Sequence, residues 1–260
     1  MCHEPTAHPA IPAAPTMTIA CERIVLTAAD ASPIAAYVAH PHRPTGVGVV
    51  VLPDNHGLSR FYGDVAARLA EQGHVALAID YFGRTAGSAE RAADFPFMEH
   101  LVRLTRAGID ADLDAAIGYL RSANGGACQA VVTLGFCFGG RQSFLATTTG
   151  NDLVGAIGFY GYPSAINGAP GPTQRAGDIA SPILAIWGGA DEGMPPAEVA
   201  AFDEALSTAG VAHEMVTYPG APHSFFELDR EEFAAASADA WRRVLAFIQP
   251  HQAADNATRA

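Results

Sequence analysis

Cys137 stands at the centre of Gly135-Phe136-Cys137-Phe138-Gly139-Gly140, directly after the strand-forming run Val131-Val132-Thr133-Leu134 and before a helical pattern. A nucleophile that stands clear at the edge of a parallel sheet needs a very sharp strand-to-helix turn. The residues two before and two after it must then be small, because the backbones on either side approach closely. That is the mechanical content of a Gly-x-nucleophile-x-Gly elbow, here with cysteine as the nucleophile. The unpaired N–H groups of the helix that follows point at the sulfur, where they favour thiolate and can hold an oxyanion. A buried cysteine between packing glycines has the same local sequence, so the remaining residues decide.

Two further residues supply the missing parts of a nucleophilic centre. Asp191 follows the strand pattern 182–187, and His223 follows the pattern 213–218. With Cys137 they fall at the carboxyl ends of successive strands, where open α/β sheets place their sites. The order nucleophile, acid, histidine is that of the α/β-hydrolase fold. In such a triad His223 takes the thiol proton, and the Asp191 carboxylate fixes the imidazole tautomer and steadies its cation. Glu192 is a rival acid beside Asp191. His56 is the other histidine at a strand end, where it is read as shaping the turn.

The elements that must position these groups alternate along the chain. A hairpin is expected over 18–26 and 34–38. The continuous apolar run Val47–Leu52 suits a central parallel strand covered on both faces. A helix follows at 61–72, a short buried strand at 75–79, and a polar loop at 85–96. Ile109, Leu113, Ile117 and Leu120 share one face of a helix over 103–122. After the elbow come a strand at 154–160, a Pro/Gly-rich excursion at 161–180, a helix at 196–209 and a last amphipathic helix at 230–248. Alternation without repeat or linker means one mostly parallel, doubly wound α/β domain over 17–249, with helices on both faces. Residues 1–16, rich in Pro, Ala and His, are expected to be a disordered leader, with Met17 as a possible start. Residues 250–260 are expected to be a flexible tail.

Composition excludes other classes. Of 260 residues 49% are hydrophobic and 16% charged, enough for a large core. The net charge of −12 argues against a nucleic-acid partner, which wants a basic face. No apolar run reaches the roughly 18 residues of a membrane span. Cys2, Cys21, Cys128 and Cys137 show neither metal-type spacing nor a disulfide framework, so reduced thiols in a cytoplasmic enzyme are expected, as a monomer or small homo-oligomer without cofactor or metal.

With these residues in place the sequence resembles the dienelactone hydrolases (carboxymethylenebutenolidases), the cysteine branch of the α/β-hydrolase superfamily. The resemblance runs from about Met17 to Ile248. It is carried by the elbow, by Asp80-Tyr81-Phe82-Gly83-Arg84, by Gly188-Gly189-Ala190-Asp191 and by Tyr218-Pro219-Gly220-Ala221-Pro222-His223-Ser224-Phe225. It implies an oxyanion hole from the backbone N–H groups of Phe138 and Asn55. It implies that Asp54 occupies the place of a family glutamate that touches the resting thiol, one methylene shorter here. It implies that Arg84 is a candidate for holding a substrate carboxylate, and that Glu227 replaces a second family arginine.

The expected activity is therefore hydrolysis of a small ester or lactone through a cysteinyl thioester. A carboxylate at Glu227 facing Arg84 would cancel its charge or bond to it, which favours neutral substrates over carboxylated dienelactones. Two alternatives remain: a glutamine-amidotransferase-type amidohydrolase, which pairs its cysteine with His-x-Glu where this chain has His223-Ser224-Phe225, and a hydrolase-fold protein that only binds a small molecule.

Overall fold

Residues 47–52 and 130–136 are apolar on both sides of the pleat, and strands of that kind are stable only in the middle of a sheet covered on both faces. The computed structural model, which describes residues 3, 7–11, 19, 21–91 and 94–252, places them side by side at the centre of an eight-stranded sheet. The strands are β1 (Cys21–Thr27), β2 (Pro33–Ala39), β3 (Val47–Leu52), β4 (Val75–Ile79), β5 (Ala130–Phe136), β6 (Gly155–Phe159), β7 (Ile183–Gly188) and β8 (His213–Tyr218). Their spatial order is β1-β2-β4-β3-β5-β6-β7-β8. β1 and β2 form the expected antiparallel hairpin, β2 is antiparallel to β4, and all later pairings are parallel.

The chain turns one way from β3 to β4 and then returns past β3 to β5. The crevice between the carboxyl ends of β3 and β5 is therefore the topological switch point, where open α/β sheets bind their ligands. The register pairs Leu52 with Gly135, so Asp54-Asn55 and Cys137-Phe138 emerge next to each other from neighbouring strands.

Side chains alternate between two cores. Val49 and Val51 of β3 join α1 (Arg60–Glu71) and α7 (Ala234–Ile248) in one cluster, whereas Val50 and Leu52 join α4 (Arg106–Arg121) in the other. The expected face of α4 is the buried one, and Thr105 begins the helix by accepting the Gly108 N–H on its hydroxyl at 3.1 Å. Among the described residues of the expected polar loop at 85–96 only the first two are helical, as the end of α2 (Gly83–Ala86), and α3 (Phe97–Leu101) follows it. α5 (Phe138–Ala146) and α6 (Pro196–Thr208) complete the helices.

The expected disordered leader needs a correction for the residues that can be seen. Ala10 N–H donates to Phe226 O at 3.3 Å, Leu228 N–H donates to His8 O at 2.8 Å, and Pro9 pairs antiparallel with Glu227. His3 is buried. His3 and residues 7–11 are thus bonded to the loop beyond His223, because that loop offers backbone partners no local pattern announces. The other leader residues up to 16 lie outside the described residues, as do residues 253–260 of the expected tail; Gln249–His251 form a 3-10 turn.

The two elbow glycines and an ordinary helical glycine should respond oppositely to alanine. A Cβ at Gly135 would fall on the Gly139 carbonyl, and one at Gly139 on the carbonyls of Leu52 and Pro53, all of them backbone atoms that cannot swing aside. Gly135→Ala or Gly139→Ala should cost about 3 kcal/mol or more. Gly118 is exposed on α4 with open space around it, so Gly118→Ala should stabilise by about 0.5–1 kcal/mol. Urea denaturation of the three variants measures both signs.

Candidate active site

The chain leaves β5 at Phe136 and enters α5 at Phe138, so Cys137 must make the whole turn by itself. Its φ of 53° and ψ of −113° lie in a region that L-residues rarely adopt. Such strain costs on the order of 1–3 kcal/mol and persists only where the surroundings over-determine it. Here Cys137 N–H donates to Phe159 O at 2.9 Å, and the close contact of α5 with the end of β3 fixes the rest. The thiol is half-buried. Phe138 is the first residue of α5, so its N–H has no acceptor within the helix.

Asp191 and His223 come together as their strand ends suggest. His223 Nδ1 donates to Asp191 Oδ2 at 2.6 Å, while Asp191 Oδ1 accepts the Gly193 N–H at 2.9 Å. Of the two adjacent acids, Asp191 is buried and bonded to His223, and Glu192 is exposed. Burial works to lower the His223 pKa. The hydrogen bond with Asp191 and then the one with Cys137 outweigh it, raising the imidazole to about 9. Histidine thus links the sulfur to the carboxylate. Ser224, next to it, has a φ of 54°, a second strained residue at the same edge.

Asp54 lies at the base of the crevice. Both its carboxylate oxygens are occupied, Oδ1 by His56 N–H at 2.9 Å and Oδ2 by His3 N–H at 2.8 Å, and its own N–H donates to the Tyr62 hydroxyl at 2.9 Å. Burial pushes its carboxyl above the usual range, and Cys137 adds to this against the pull of His3 and His56. His56 also packs edge-on against Phe97 at 4.3 Å, in keeping with a turn-shaping role.

The two groups expected to meet the substrate's charge do not meet each other. Arg84 bonds Asp112 Oδ1 at 2.7 Å, Ser32 Oγ at 2.7 Å, Gly108 O at 3.1 Å and the Asp30 carboxylate. Its guanidinium ties the β1–β2 turn to α4. Glu227 is buried and bonds His3 Nδ1 at 2.7 Å and Arg230 Nε at 3.0 Å. Neither charge needs the other, because each found a partner on a different element.

A cavity of about 510 Å³ opens beside Phe138. Leu104, Ile109 and Leu145 supply apolar wall, and the 161–180 excursion closes it with Ile166 and Pro170. Three arginines reach this cavity, each already bonded: Arg106 to Asp110 and Gln142, Arg141 to the carbonyls of Tyr162, Ser164 and Pro170, and Arg175 to Asp178. The described residues of the polar loop at 85–96 are absent from this wall; Arg91 among them is anchored to Asp80 at 2.6 Å. Among the described residues no group of three or more His, Cys, Asp or Glu could hold a metal, and no helix is long and apolar enough to cross a membrane.

Sequence reasoning passed over two residues here. Tyr160, at the end of β6, has a φ of 40° and lays its ring 4.7 Å from that of His223; its strand-end position was the available signal. His3 had none.

A parallel sheet with a strained cysteine elbow at its switch point, followed in chain order by an Asp–His pair, defines an α/β-hydrolase. The dienelactone hydrolase family model matches residues 34–252, and the chain belongs to that family. It is 32% identical over 224 residues to the Escherichia coli (strain K12) protein named "Putative carboxymethylenebutenolidase", covering 83% of this chain and 82% of that one. A Bradyrhizobium protein named "Probable 2-oxo-3-(5-oxofuran-2-ylidene)propanoate lactonase" is 31% identical over 229 residues, 83% of this chain and 89% of its own. The crystal structure of a "Putative Dienelactone Hydrolase" from Klebsiella pneumoniae superposes with a TM-score of 0.76 at 26% identity, covering 90% of this chain and 99% of that one. The chain is accordingly an enzyme, an ester or lactone hydrolase of dienelactone hydrolase type.

The three described thiols should separate cleanly by reactivity. Burial raises Cys128 to about 11, and burial with the Asp64 charge raises Cys21 to about 11, which leaves about one thiol in ten thousand ionised at pH 7. Iodoacetamide at neutral pH should therefore alkylate Cys137 long before Cys21 or Cys128. Peptide mapping by mass spectrometry reads the order directly.

Proposed function

We propose that this chain hydrolyses a small carboxylic ester or lactone through a cysteinyl thioester, with Cys137 as nucleophile, His223 as base and acid, and Asp191 as the group that orients the imidazole. The observation that carries the reading is the 2.6 Å His223–Asp191 bond at the mouth of the crevice into which the Cys137 elbow projects. The sulfur attacks the ester carbonyl, and the carbonyl π electrons move to oxygen, where the N–H groups of Phe138 and Asn55 receive the negative charge. Collapse breaks the bond to the alkoxide, which takes a proton from His223. In a lactone the alkoxide remains tethered to the acyl group. Water then loses a proton to His223 and attacks the thioester, the thiolate leaves, and the carboxylic acid is released.

The cavity beside Phe138 suits the body of such a substrate. Arg84 is held by Asp112 and Asp30, and Glu227 by His3 and Arg230, so neither offers a charge to a ligand. Of the arginines around the cavity, Arg106 and Arg175 are paired with Asp110 and Asp178, whereas Arg141 bonds neutral carbonyls that leave its charge in place. Neither Arg84 nor Glu227 then selects for substrate charge, for a reason other than the Arg84–Glu227 cancellation expected from sequence.

Turnover of aryl esters and butenolides should vanish in Cys137→Ala and fall by about 10³–10⁴ in Asp191→Asn, where the imidazole tautomer is lost. Glu192→Gln should match the wild type. His223 must carry a proton to serve the leaving alkoxide and does so below its pKa, so kcat/KM should fall as pH rises through about 9. Removing the Asp191 charge should move that limb to lower pH. Full activity in Cys137→Ala would end the cysteine-hydrolase reading.

A further inference from the structure

His3 lies outside the part of the chain that matches the family, which begins at residue 34, yet every one of its polar atoms is bonded in the site. Its backbone N–H donates to Asp54 Oδ2 at 2.8 Å, and its carbonyl lies 3.1 Å from His56 Nδ1. Its ring Nδ1 donates to Glu227 Oε1 at 2.7 Å, and Nε2 meets the Tyr160 hydroxyl at 2.8 Å. The ring stacks on Phe61 at 3.9 Å and meets Phe136, the residue before the nucleophile, edge-on at 5.7 Å. Only 2% of the residue is exposed.

The four partners lie on three different segments at the carboxyl edge of the sheet. Asp54 and His56 flank Asn55 on the turn after β3. Tyr160 ends β6, with its ring against His223. Glu227 follows His223 on the loop after β8. These segments share no sheet pairing beyond their strand ends, and Cys137 emerges among them. A buried polar residue that satisfies all its bonds in this way costs little desolvation and removes freedom from everything it touches. The segment 7–11 holds it there, since its backbone pairing with Phe226 and Leu228 lies on the same loop.

We propose that His3, delivered by the N-terminal segment, is a positioning residue of the hydrolytic centre: it locks the Asn55 turn, Tyr160 and the His223 loop against one another, so that sulfur, imidazole and oxyanion donors keep their mutual geometry. The inference rests on the hydrolase reading above. His3 itself reaches no reacting atom and acts through Tyr160, Asp54 and Glu227. Its carboxylate partners are also where a loose site would suffer most. Asp54 is a buried acid that bears on the Cys137 charge, and it stays oriented because His3 and His56 occupy its two oxygens.

The test uses the full chain with His3→Ala, His3→Gln and Tyr160→Phe, singly and as the His3→Ala/Tyr160→Phe pair, alongside wild type. Steady-state hydrolysis of a neutral aryl ester, iodoacetamide labelling of Cys137 and thermal melting are followed on each. His3→Ala should lower kcat about tenfold with KM within twofold, and should slow Cys137 labelling severalfold. His3→Gln, whose amide can still span Glu227 and Tyr160, should recover much of the loss. Tyr160→Phe should lower kcat by itself, and the pair should lose little more than either alone. Should His3→Ala fail to fold, Tyr160→Phe and the Gln variant carry the test by the same readouts.

An unchanged kcat in folded His3→Ala, or additive losses in the pair, would overturn the proposal. So would a higher kcat or sharply lower KM in His3→Ala, which would make the residue a plug and not a support. A wild type with no esterase activity counts against the hydrolase reading instead, and Cys137 labelling still reports the positioning without any substrate.

Discussion

The centre of this molecule depends on a contact between two backbones. α5 starts almost on top of the end of β3, with Gly139 against the carbonyls of Leu52 and Pro53, and Gly135 against the carbonyl of Gly139. No side chain larger than hydrogen fits at either place. Because the helix cannot start further away, the residue between strand and helix is forced to a φ of 53°, and the thiol it carries is driven out of the sheet edge. The same contact sets the helix N-terminus beside the Asn55 turn. The elbow and the start of α5 are thus products of one steric constraint, and the strain at Cys137 is sustained by the two apolar cores that clamp the sheet from either side.

Around that constraint the charged groups pair within the protein. Asp191 holds His223, Arg91 holds Asp80, Arg84 holds Asp112, and Glu227 is held by His3 and Arg230. A buried charge left alone would cost several kcal/mol, so each of these is placed where a hydrogen-bonding partner arrives from another element. The result is a set of internally paired charges around the Cys137 elbow, with a largely apolar cavity beside Phe138.

Much of this could be read from the chain, and the reason is local. β3 and β5 are apolar without alternation, the elbow has its glycines at fixed offsets, and Asp191 and His223 each follow a strand pattern directly. Strand ends in a parallel sheet converge on one edge whatever the intervening sequence, so order along the chain was enough to assemble the candidate triad. Choosing between Asp191 and Glu192 needed burial, which two adjacent acids do not reveal. The internal partner of Arg84 could not be read locally, because Asp112 lies 28 residues away on α4. His3 was invisible for the same reason on a larger scale: its bond to Glu227 spans 224 residues, and a Pro/Ala/His-rich terminus has no periodicity to show where it binds.

Arg141 shows how such an enzyme can vary. It lies on α5, one turn beyond the nucleophile, and its guanidinium grips the main-chain oxygens of Tyr162, Ser164 and Pro170. The excursion that walls the cavity is thereby suspended from the helix that carries the cysteine, and Arg141 holds it by atoms that every amino acid possesses. The side chains at Ile166 or Asn167 can be exchanged without loosening that grip. The lining of the cavity can therefore change while its main chain stays tied to α5.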